Sequence, residues 1–317
     1  MNGSRRKYAI GLTLAVVLAV AAMLPILPAL AGPKASKTWK SVAKKLRASS
    51  KAEAKADYQL ALARAQYLTG SDREDAIDTA KEEFQDAKSI AGDAYKARLE
   101  LAADLGETDL PRVEIDPADF VAGIDHPLLP FTVGSTWTYE AQTDEGLETI
   151  VVTVLPDTKV IMGVTCTVVR DTVSIGGELI EDTLDWYAQD KAGNVWYMGE
   201  IAKNYENGRL TDLDGSWEGG VDGAQPGIIM PALPAVGDLY RQEFLMGEAE
   251  DYGEVLALSE SVTVKAGTFN GCLKTLDGTP IEPDATENKF YAPGVGVVLE
   301  ENPETGERLE LVSSSLK

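Results

Sequence analysis

Histidine and cysteine are scarce in this chain, whose 317 residues include one histidine, His126, and two cysteines, Cys166 and Cys272. A lone imidazole cannot supply a second ring ligand to zinc, and no serine–histidine–acid or H-E-x-x-H pattern is present. The sequence also lacks a G-x-S-x-G turn and a phosphate-binding loop followed by lysine. We therefore interpret His126 as incidental, and the sequence predicts no catalytic residue, no metal ligand and no cofactor.

The two cysteines both lie in predicted strands. Neither belongs to a C-x-x-C motif, so a redox function is not indicated. In an oxidising compartment they can form one disulfide or remain two buried thiols, and the sequence leaves both alternatives open.

Positive charge is scarce in only one part of the chain. The formal net charge is −22, yet residues 33–110 hold 14 basic and 14 acidic residues. Residues 111–317 hold 12 basic and 37 acidic residues, so the excess of negative charge lies there. Such a surface repels nucleic acid and anionic lipid headgroups, so we expect neither as a partner.

Long apolar runs are absent after residue 32, and the run before it is typical of an export signal. Arg5, Arg6 and Lys7 precede an apolar stretch from Tyr8 to about Leu30, and Ala29-Leu30-Ala31 fits a signal-peptidase site. Residues 1–32 are therefore predicted to be a cleaved Sec signal peptide, which predicts a periplasmic or extracellular protein without a stable membrane span. An uncleaved anchor and a twin-arginine signal are the alternatives. A lipoprotein is not indicated, because no cysteine lies at the cleavage point.

Proline is absent from residues 34–110, where alanine, lysine, glutamate and arginine favour helix. A break at Gly70, with Ser71 and Glu74 as a capping box, predicts two helices, and Gly106 is expected to end the second. Apolar residues recur at helical spacing on both sides of the break, at Trp39, Val42, Leu46, Tyr58, Leu62 and Ala65 and then at Ile77, Ala80, Phe84, Ala87, Ala91 and Ala94. The pattern predicts an antiparallel helical hairpin over residues 33–110, which either docks onto partners or packs on the domain that follows.

After a connector over residues 111–130, the sequence takes on the period of β-strands. Strands are predicted near residues 136–142, 148–155, 165–175, 179–189, 195–203, 239–246, 253–258, 261–265, 269–276, 287–292, 296–301 and 308–313. Turns at Gly176-Gly177 and Asn207-Gly208 indicate antiparallel hairpins. The predicted class is α+β, with a large antiparallel β domain over residues 131–317 that forms a half-barrel or a sandwich.

Three segments of the chain resemble a family of exported bacterial proteins that has no assigned activity. These segments are Ile115-Asp116-Pro117-Ala118-Asp119-Phe120-Val121, Asp185-Trp186-Tyr187-Ala188-Gln189-Asp190 and Tyr291-Ala292-Pro293-Gly294-Val295-Gly296. The resemblance covers most of the chain after the signal segment. The β region is also similar in style to the curled half-barrels of periplasmic lipoprotein carriers, which implies a sheet that holds an acyl chain on its concave face.

Candidate ligand-binding residues come from one loop and three tryptophans. Residues 222–238 are predicted to form a proline-stiffened loop with an apolar tip at Ile228, Ile229 and Met230, which either covers a cavity or plugs the core of the sheet. Trp186, Trp196 and Trp217 alternate with acidic residues and are predicted to line the same concave face.

Acidic residues offer two weaker alternatives. Oxygen ligands suited to calcium cluster at Asp212, Asp214, Glu218 and Asp222, although their spacing is not that of an EF-hand and a solvated turn explains them as well. Asp182 and Asp185 beside Trp186 would suit carbohydrate hydrolysis.

Three functions are compatible with these patterns. The first is a non-enzymatic binding module that holds an apolar small molecule, a lipid or a partner segment on the concave sheet. The second is an envelope structural or interaction protein that docks through residues 36–105. The third is a cation-dependent or carbohydrate-acting enzyme, which needs polar side chains that converge in a cleft.

Overall fold

The computed structural model describes residues 34–317, so the predicted signal peptide lies outside the described residues. The described chain divides into two compact units. The helical unit extends to Pro111 and includes residues 280–284, and the β unit comprises residues 112–279 and 285–317. The predicted connector thus belongs to the β unit.

The helical unit is a hairpin of α1, Lys37–Ala65, and α2, Gly70–Asp104. Tyr58 of α1 stacks on Phe84 of α2 with ring centroids 5.1 Å apart, and the Arg47 guanidinium lies 5.4 Å from the ring centroid of Tyr95. These two pairings run in opposite directions along the helices, which confirms the antiparallel hairpin.

The ends of the helices differ in part from the prediction. Ser36 caps α1 by accepting a hydrogen bond from the Trp39 amide. Helix α2 begins at Gly70 after Thr69, without a side-chain cap, so the capping box predicted at Ser71 and Glu74 is wrong. The chain leaves α1 in a short turn, and Ser71 already lies inside the first turn of α2. Gly106 follows the end of α2 with a φ of 68°, as predicted for a terminating glycine.

The β unit contains one antiparallel sheet of sixteen strands. The strands are β1 Phe120–Val121, β2 Thr136–Thr143, β3 Gly146–Ile161, β4 Val164–Ile175, β5 Glu178–Asp190, β6 Val195–Glu206, β7 Arg209–Asp212, β8 Trp217–Glu218, β9 Gln225–Met230, β10 Leu239–Arg241, β11 Glu243–Phe244, β12 Tyr252–Val264, β13 Gly267–Gly278, β14 Thr286–Ala292, β15 Gly296–Glu301 and β16 Arg308–Ser315. Their order in the sheet is β10-β12-β13-β14-β15-β16-β2-β3-β4-β5-β6-β9-β11, with β1 beside β5 and β7 and β8 beside β6. The predicted α+β class with a large antiparallel sheet is confirmed.

Two segments differ from the sequence prediction. The strands predicted at 253–258 and 261–265 form the single strand β12, in which register shifts near Ala257 and Glu260 bend the chain without ending the strand. The loop predicted over 222–238 contains strand β9, which pairs with β6. Gly227 permits this pairing next to β11, because a Cβ atom there would lie 2.4 Å from the carbonyl carbon of Gln242.

The sheet curls until it nearly closes. Its path begins at β10 and ends at β11, and these two strands are separated in the chain by Gln242 alone. The curl creates an inner face, on which side chains from distant strands meet. Its apolar layer combines residues of β6, β9, β12, β13 and β14 with residues of the preceding connector: Ile124, Leu129, Val195, Met230, Val255, Leu273 and Tyr291.

Among residues 34–317, no helix has both the length and the apolar character needed to cross a membrane.

Candidate functional site

Carboxyl groups, and not apolar side chains, occupy the middle of the inner face. Cross-strand partners point to the same side of a sheet, so the register identifies the inward-facing residues. Val169 of β4 pairs with Asp185 of β5, Asp185 pairs with Glu200 of β6, and Glu200 pairs with Trp217 of β8. Asp185 and Glu200 are therefore immediate neighbours inside the sheet.

Gly199 brings Trp217 to this position. The Gly199 φ is 140°, and a Cβ atom there would lie 2.6 Å from the carbonyl oxygen of Trp217. A glycine at this point of β6 allows the short strand β8 to approach closely. Trp217 then packs edge-on against Tyr197, with ring centroids 5.3 Å apart, and Tyr197 stacks on Tyr187 at 4.9 Å.

Glu243 of β11 completes a group that we call the carboxyl cluster, which consists of Asp185, Glu200 and Glu243. Glu243 interacts electrostatically with Asp185, and Glu200 interacts with both. The exposed fractions of the three residues are 5%, 2% and 2%. Within the described part of the chain, no lysine, arginine or histidine forms an ion pair with any of the three.

The carboxyl cluster is incompletely hydrogen-bonded. The Tyr197 hydroxyl donates to Asp185 Oδ1 over 2.6 Å. Glu200 Oε2 and Glu243 Oε2 are buried without a hydrogen-bond partner, and so is the indole Nε1 of Trp217. That N–H group approaches Glu243 closely enough to favour its charged form, but it does not reach hydrogen-bond geometry. Buried polar atoms without partners are rare in folded proteins, because each one costs the free energy of its lost hydration.

Burial raises the pKa of all three carboxyl groups. Desolvation is the main cause that raises the pKa of Asp185 to about 7, partly offset by the hydrogen bond from Tyr197. Desolvation and the neighbouring carboxyl groups raise the pKa of Glu200 and Glu243 well above the usual range. Burial therefore opposes ionisation of the cluster, and a nearby positive charge would favour it.

A second polar group on the inner face contains its own cation. Lys289 of β14 pairs with Thr275 of β13 on one side and with Glu300 of β15 on the other. Its Nζ atom lies 3.4 Å from Asp277 Oδ2, and both side chains are less than a tenth exposed. Asp277 also accepts hydrogen bonds from Gln242 Nε2 over 2.9 Å and from Thr275 Oγ1 over 2.6 Å. Asp277 is thus compensated within the protein, whereas both carboxyl oxygens of the neighbouring Glu300 are buried without a hydrogen-bond partner.

Some deep side chains of the β unit remain partly exposed. Asp171, Tyr187 and Asp251 lie deep in the protein, yet each keeps part of its surface accessible to solvent. Desolvation raises the pKa of Asp251 to about 7, and it also raises the pKa of Asp171.

The six predicted ligand-binding residues are divided between the two faces. Trp217, Ile229 and Met230 pack on the inner side, and Met230 is fully buried opposite Val195. Trp186 packs on the outer side with Val168 and Met198. The prediction that all three tryptophans line one face is therefore wrong.

Trp196 and Ile228 lie on the outer side as direct cross-strand partners. Trp196 is fixed there by Phe120, with ring centroids 6.1 Å apart, and by a 2.9 Å hydrogen bond from its indole to Asp190. The tip Ile228–Met230 thus belongs to a strand, and Met230 fills the core of the sheet.

His126 has a structural role. Its Nδ1 atom accepts the Leu128 amide over 3.1 Å, so its proton lies on Nε2, which donates to the Pro231 carbonyl over 3.2 Å. Desolvation lowers the pKa of His126 below its usual value, so the ring is neutral at pH 7. The residue joins the connector to the segment that follows β9.

The cysteines and the acidic turn take the simpler of their predicted alternatives. Cys166 and Cys272 are free buried thiols in different apolar clusters. Asp212 Oδ1 accepts hydrogen bonds from Asn204 and from the Asp214 amide in an exposed turn, and Glu218 forms an ion pair with Lys159 at 2.7 Å. Within residues 34–317, no group of three or more histidine, cysteine, aspartate or glutamate side chains is arranged to hold a metal ion.

Sequence reasoning missed the carboxyl cluster because it placed polar strand residues outside. On β5, the inward residues are Glu181, Thr183, Asp185, Tyr187 and Gln189, all polar, whereas Leu184, Trp186 and Ala188 point outward. The available signal was the unusual size of the apolar residues in the other phase, since Trp186 and Trp196 require a covered outer face.

Comparison of the chain with protein-family models, with curated proteins and with solved structures found no match.

Proposed function

We propose that this protein is a binding module that holds a polar ligand inside the curled sheet. The observation that supports the proposal is the pair of buried, unpartnered carboxyl oxygens, Glu200 Oε2 and Glu243 Oε2, on the inner face of the sheet. A bound hydrogen-bond donor would satisfy both oxygens. The sequence favoured an apolar ligand, but the chemistry of the inner face favours one that donates hydrogen bonds.

A purely structural role explains the carboxyl cluster poorly. Burying a carboxyl group without a partner costs several kcal/mol, and an apolar residue of similar volume avoids that cost. Asp277 provides a comparison within the same interior, because its oxygens face the Lys289 cation and two hydrogen-bond donors. Uncompensated polar groups are typically retained at sites where a ligand completes them.

An enzyme that uses two carboxyl groups is the second candidate. Asp185 and Glu200 are direct neighbours on adjacent strands, and their surroundings raise the pKa of both. Acid–base hydrolysis needs one protonated and one ionised carboxyl group. An enzyme of this kind would hydrolyse aryl glycosides, and both Asp185→Asn and Glu200→Gln would abolish turnover without weakening substrate binding to the same extent.

Export to the periplasm or the extracellular space and docking through residues 36–105 remain part of the proposal. The export prediction rests on the N-terminal sequence, and the docking prediction rests on the length of the two helices. A secreted binding module with a helical attachment unit accommodates both.

A thermal-shift panel tests the binding function. Wild type and Glu200→Gln would be heated with aliphatic amines, neutral sugars, amino acids and fatty acids. We expect at least one polar class to raise the melting temperature of wild type and to have little effect on Glu200→Gln. Stabilisation of both proteins alike, stabilisation by fatty acids only, or no stabilisation by any class would overturn the proposal.

A further inference from the structure

We propose that the carboxyl cluster binds the primary ammonium group of a small organic ligand. This inference rests on the proposed binding function and specifies the chemistry that the site recognises. Asp185 and Glu200 are cross-strand partners on β5 and β6, and Glu243 of β11 interacts electrostatically with both. Trp217 lies opposite Glu200 on β8 and packs against Tyr197.

An ammonium group would supply hydrogen-bond donors to the carboxyl cluster. Glu200 Oε2 and Glu243 Oε2 are acceptors without donors, in residues that are each 2% exposed. An –NH₃⁺ group carries three N–H donors that can be directed at different acceptors. Charge-assisted hydrogen bonds of this kind are shorter and stronger than neutral ones, so one ammonium group can satisfy both oxygens.

An ammonium group would also compensate the negative charge of the ionised carboxyl cluster. No cation forms an ion pair with the cluster in the described part of the chain, although Lys289 serves the neighbouring polar group. An ammonium group inside the sheet would supply the missing positive charge. It would therefore occupy toward Asp185 and Glu200 the position that Lys289 occupies toward Asp277.

The aromatic rings beside the carboxyl cluster favour a cation independently of the acidic residues. Tyr187, Tyr197 and Trp217 form a continuous aromatic wall with centroid separations of 4.9 and 5.3 Å. Aromatic faces attract cations, and the attraction is larger where water is excluded. Trp217 is 4% exposed and its Nε1–H group has no hydrogen-bond partner, so the wall also offers a donor to an oxygen on the same ligand.

Ligand binding at this site couples to proton release. The pKa of Asp185 is about 7 in the empty protein because of burial, and an ammonium group stabilises the ionised carboxylate. The titratable groups that face Asp185 and Glu200 are Glu181, Asp171 and Glu243 and the phenols of Tyr187 and Tyr197. Burial raises the pKa of each of these acids. Lys289 also interacts with Asp171 and Glu243, where it favours the ionised form. Affinity should increase as the pH rises from 6 to 8, and binding should release protons.

The experiment is calorimetric titration of the purified protein with putrescine, in two buffers of different ionisation enthalpy. Butane-1,4-diol serves as the uncharged match, choline as a cation without N–H donors, and calcium chloride as the metal alternative. We expect putrescine to bind with proton release, and choline and the diol to bind at least about tenfold more weakly, as loss of charge-assisted hydrogen bonds implies. Glu200→Gln and Glu243→Gln should each weaken putrescine binding by about tenfold or more.

Asp182→Asn is the matched control. Asp182 lies on β5 like Asp185, but it points outward and accepts a hydrogen bond from Arg170 over 2.7 Å. This variant should bind putrescine as wild type does. Circular dichroism of each variant separates a loss of binding from a loss of fold.

The other outcomes are distinguishable. Choline binding equal to putrescine, or calcium binding that depends on Glu200, overturns the ammonium assignment and leaves the binding function intact. No binding of putrescine, together with stabilisation by another polar class in the thermal panel, does the same. No binding of putrescine and an empty panel overturn both proposals.

Discussion

Asp185 and Glu200 lie directly opposite each other on the neighbouring strands β5 and β6, inside the curled sheet, where Tyr197 donates a hydrogen bond to Asp185. Two carboxyl groups so placed cannot both ionise without a compensating charge. Most consequences of the structure follow from this pair.

Replacement of Glu200 should stabilise the empty protein. Glu200→Gln removes a buried ionisable group and keeps its shape, so we expect the free energy of unfolding at pH 8 to rise by about 1–4 kcal/mol. Guanidinium denaturation followed by tryptophan fluorescence measures the change. The matched variant Asp182→Asn loses partly exposed ion pairs with Arg170 and Lys203 and should lower stability by no more than about 1 kcal/mol. A destabilised Glu200→Gln would show that the carboxyl group serves the fold.

The β unit should lose stability as the pH rises. Burial raises the pKa of Glu148, Asp185 and Asp251 to about 7 each, above their values in the unfolded chain. The folded state then binds more protons than the unfolded state, so the stability from these groups is complete below about pH 4 and is lost as the pH passes through 7. Each such group contributes a slope of at most about 1.4 kcal/mol per pH unit in that interval. Urea denaturation at intervals between pH 5 and pH 8 measures it, and a curve that rises over this range would contradict the account.

Lys289 should be indispensable to the fold. Lys289→Met leaves Asp277 and Glu300 without their buried cation, and loss of one partner from a buried ion pair costs about 3–5 kcal/mol. Lys274 provides the control, because it is the adjacent lysine across the strand pair and only covers the Phe290 ring at 5.3 Å. Lys274→Met should cost about 1 kcal/mol or less. Equal losses in the two variants would mean that the Lys289 group is not an electrostatic unit.

His126 should stabilise the fold through two hydrogen bonds and should take no part in ligand binding. His126→Ala removes the acceptor of the Leu128 amide and the donor to the Pro231 carbonyl, at a cost of about 1–3 kcal/mol. Asparagine can still accept the Leu128 amide, so His126→Asn should cost less than His126→Ala. Thermal melts of the two variants decide this, and ligand binding should be unchanged in both. A binding defect in the folded His126→Asn variant would show that the histidine reaches the site.

The sequence predicts well which helices and strands form, and it predicts poorly which face of each strand points into the curled sheet. Alternation and glycine turns locate β4, β5, β6 and β15, and helical spacing locates the helical hairpin. These signals depend on residues that are close in the sequence. The curl depends on β10 and β11 meeting across Gln242, which no local pattern contains. Strand β9 was missed because Pro226 and Gly227 within it, and further prolines after it, indicate a loop, although Gly227 is what permits its pairing.

The candidate site shows the same limit. The tryptophans were identified as candidates, but only Trp217 joins the carboxyl cluster. Asp185 was noted in the sequence beside Trp186, on the assumption that the tryptophan faces the ligand. The register places Asp185 inside and Trp186 outside, because both faces of this part of the sheet are covered.

The central claim is that the interior holds carboxyl groups of raised pKa, which a bound cation converts to the ionised form. Carboxyl-carbon NMR of the protein labelled at aspartate and glutamate side chains tests this claim most directly. In the empty protein, we predict at least two carboxyl resonances with midpoints near or above pH 7 that disappear in Asp185→Asn and Glu200→Gln and shift to lower pH when putrescine is added. If every carboxyl resonance titrates below about pH 5, the range of ordinary exposed side chains, the account is contradicted.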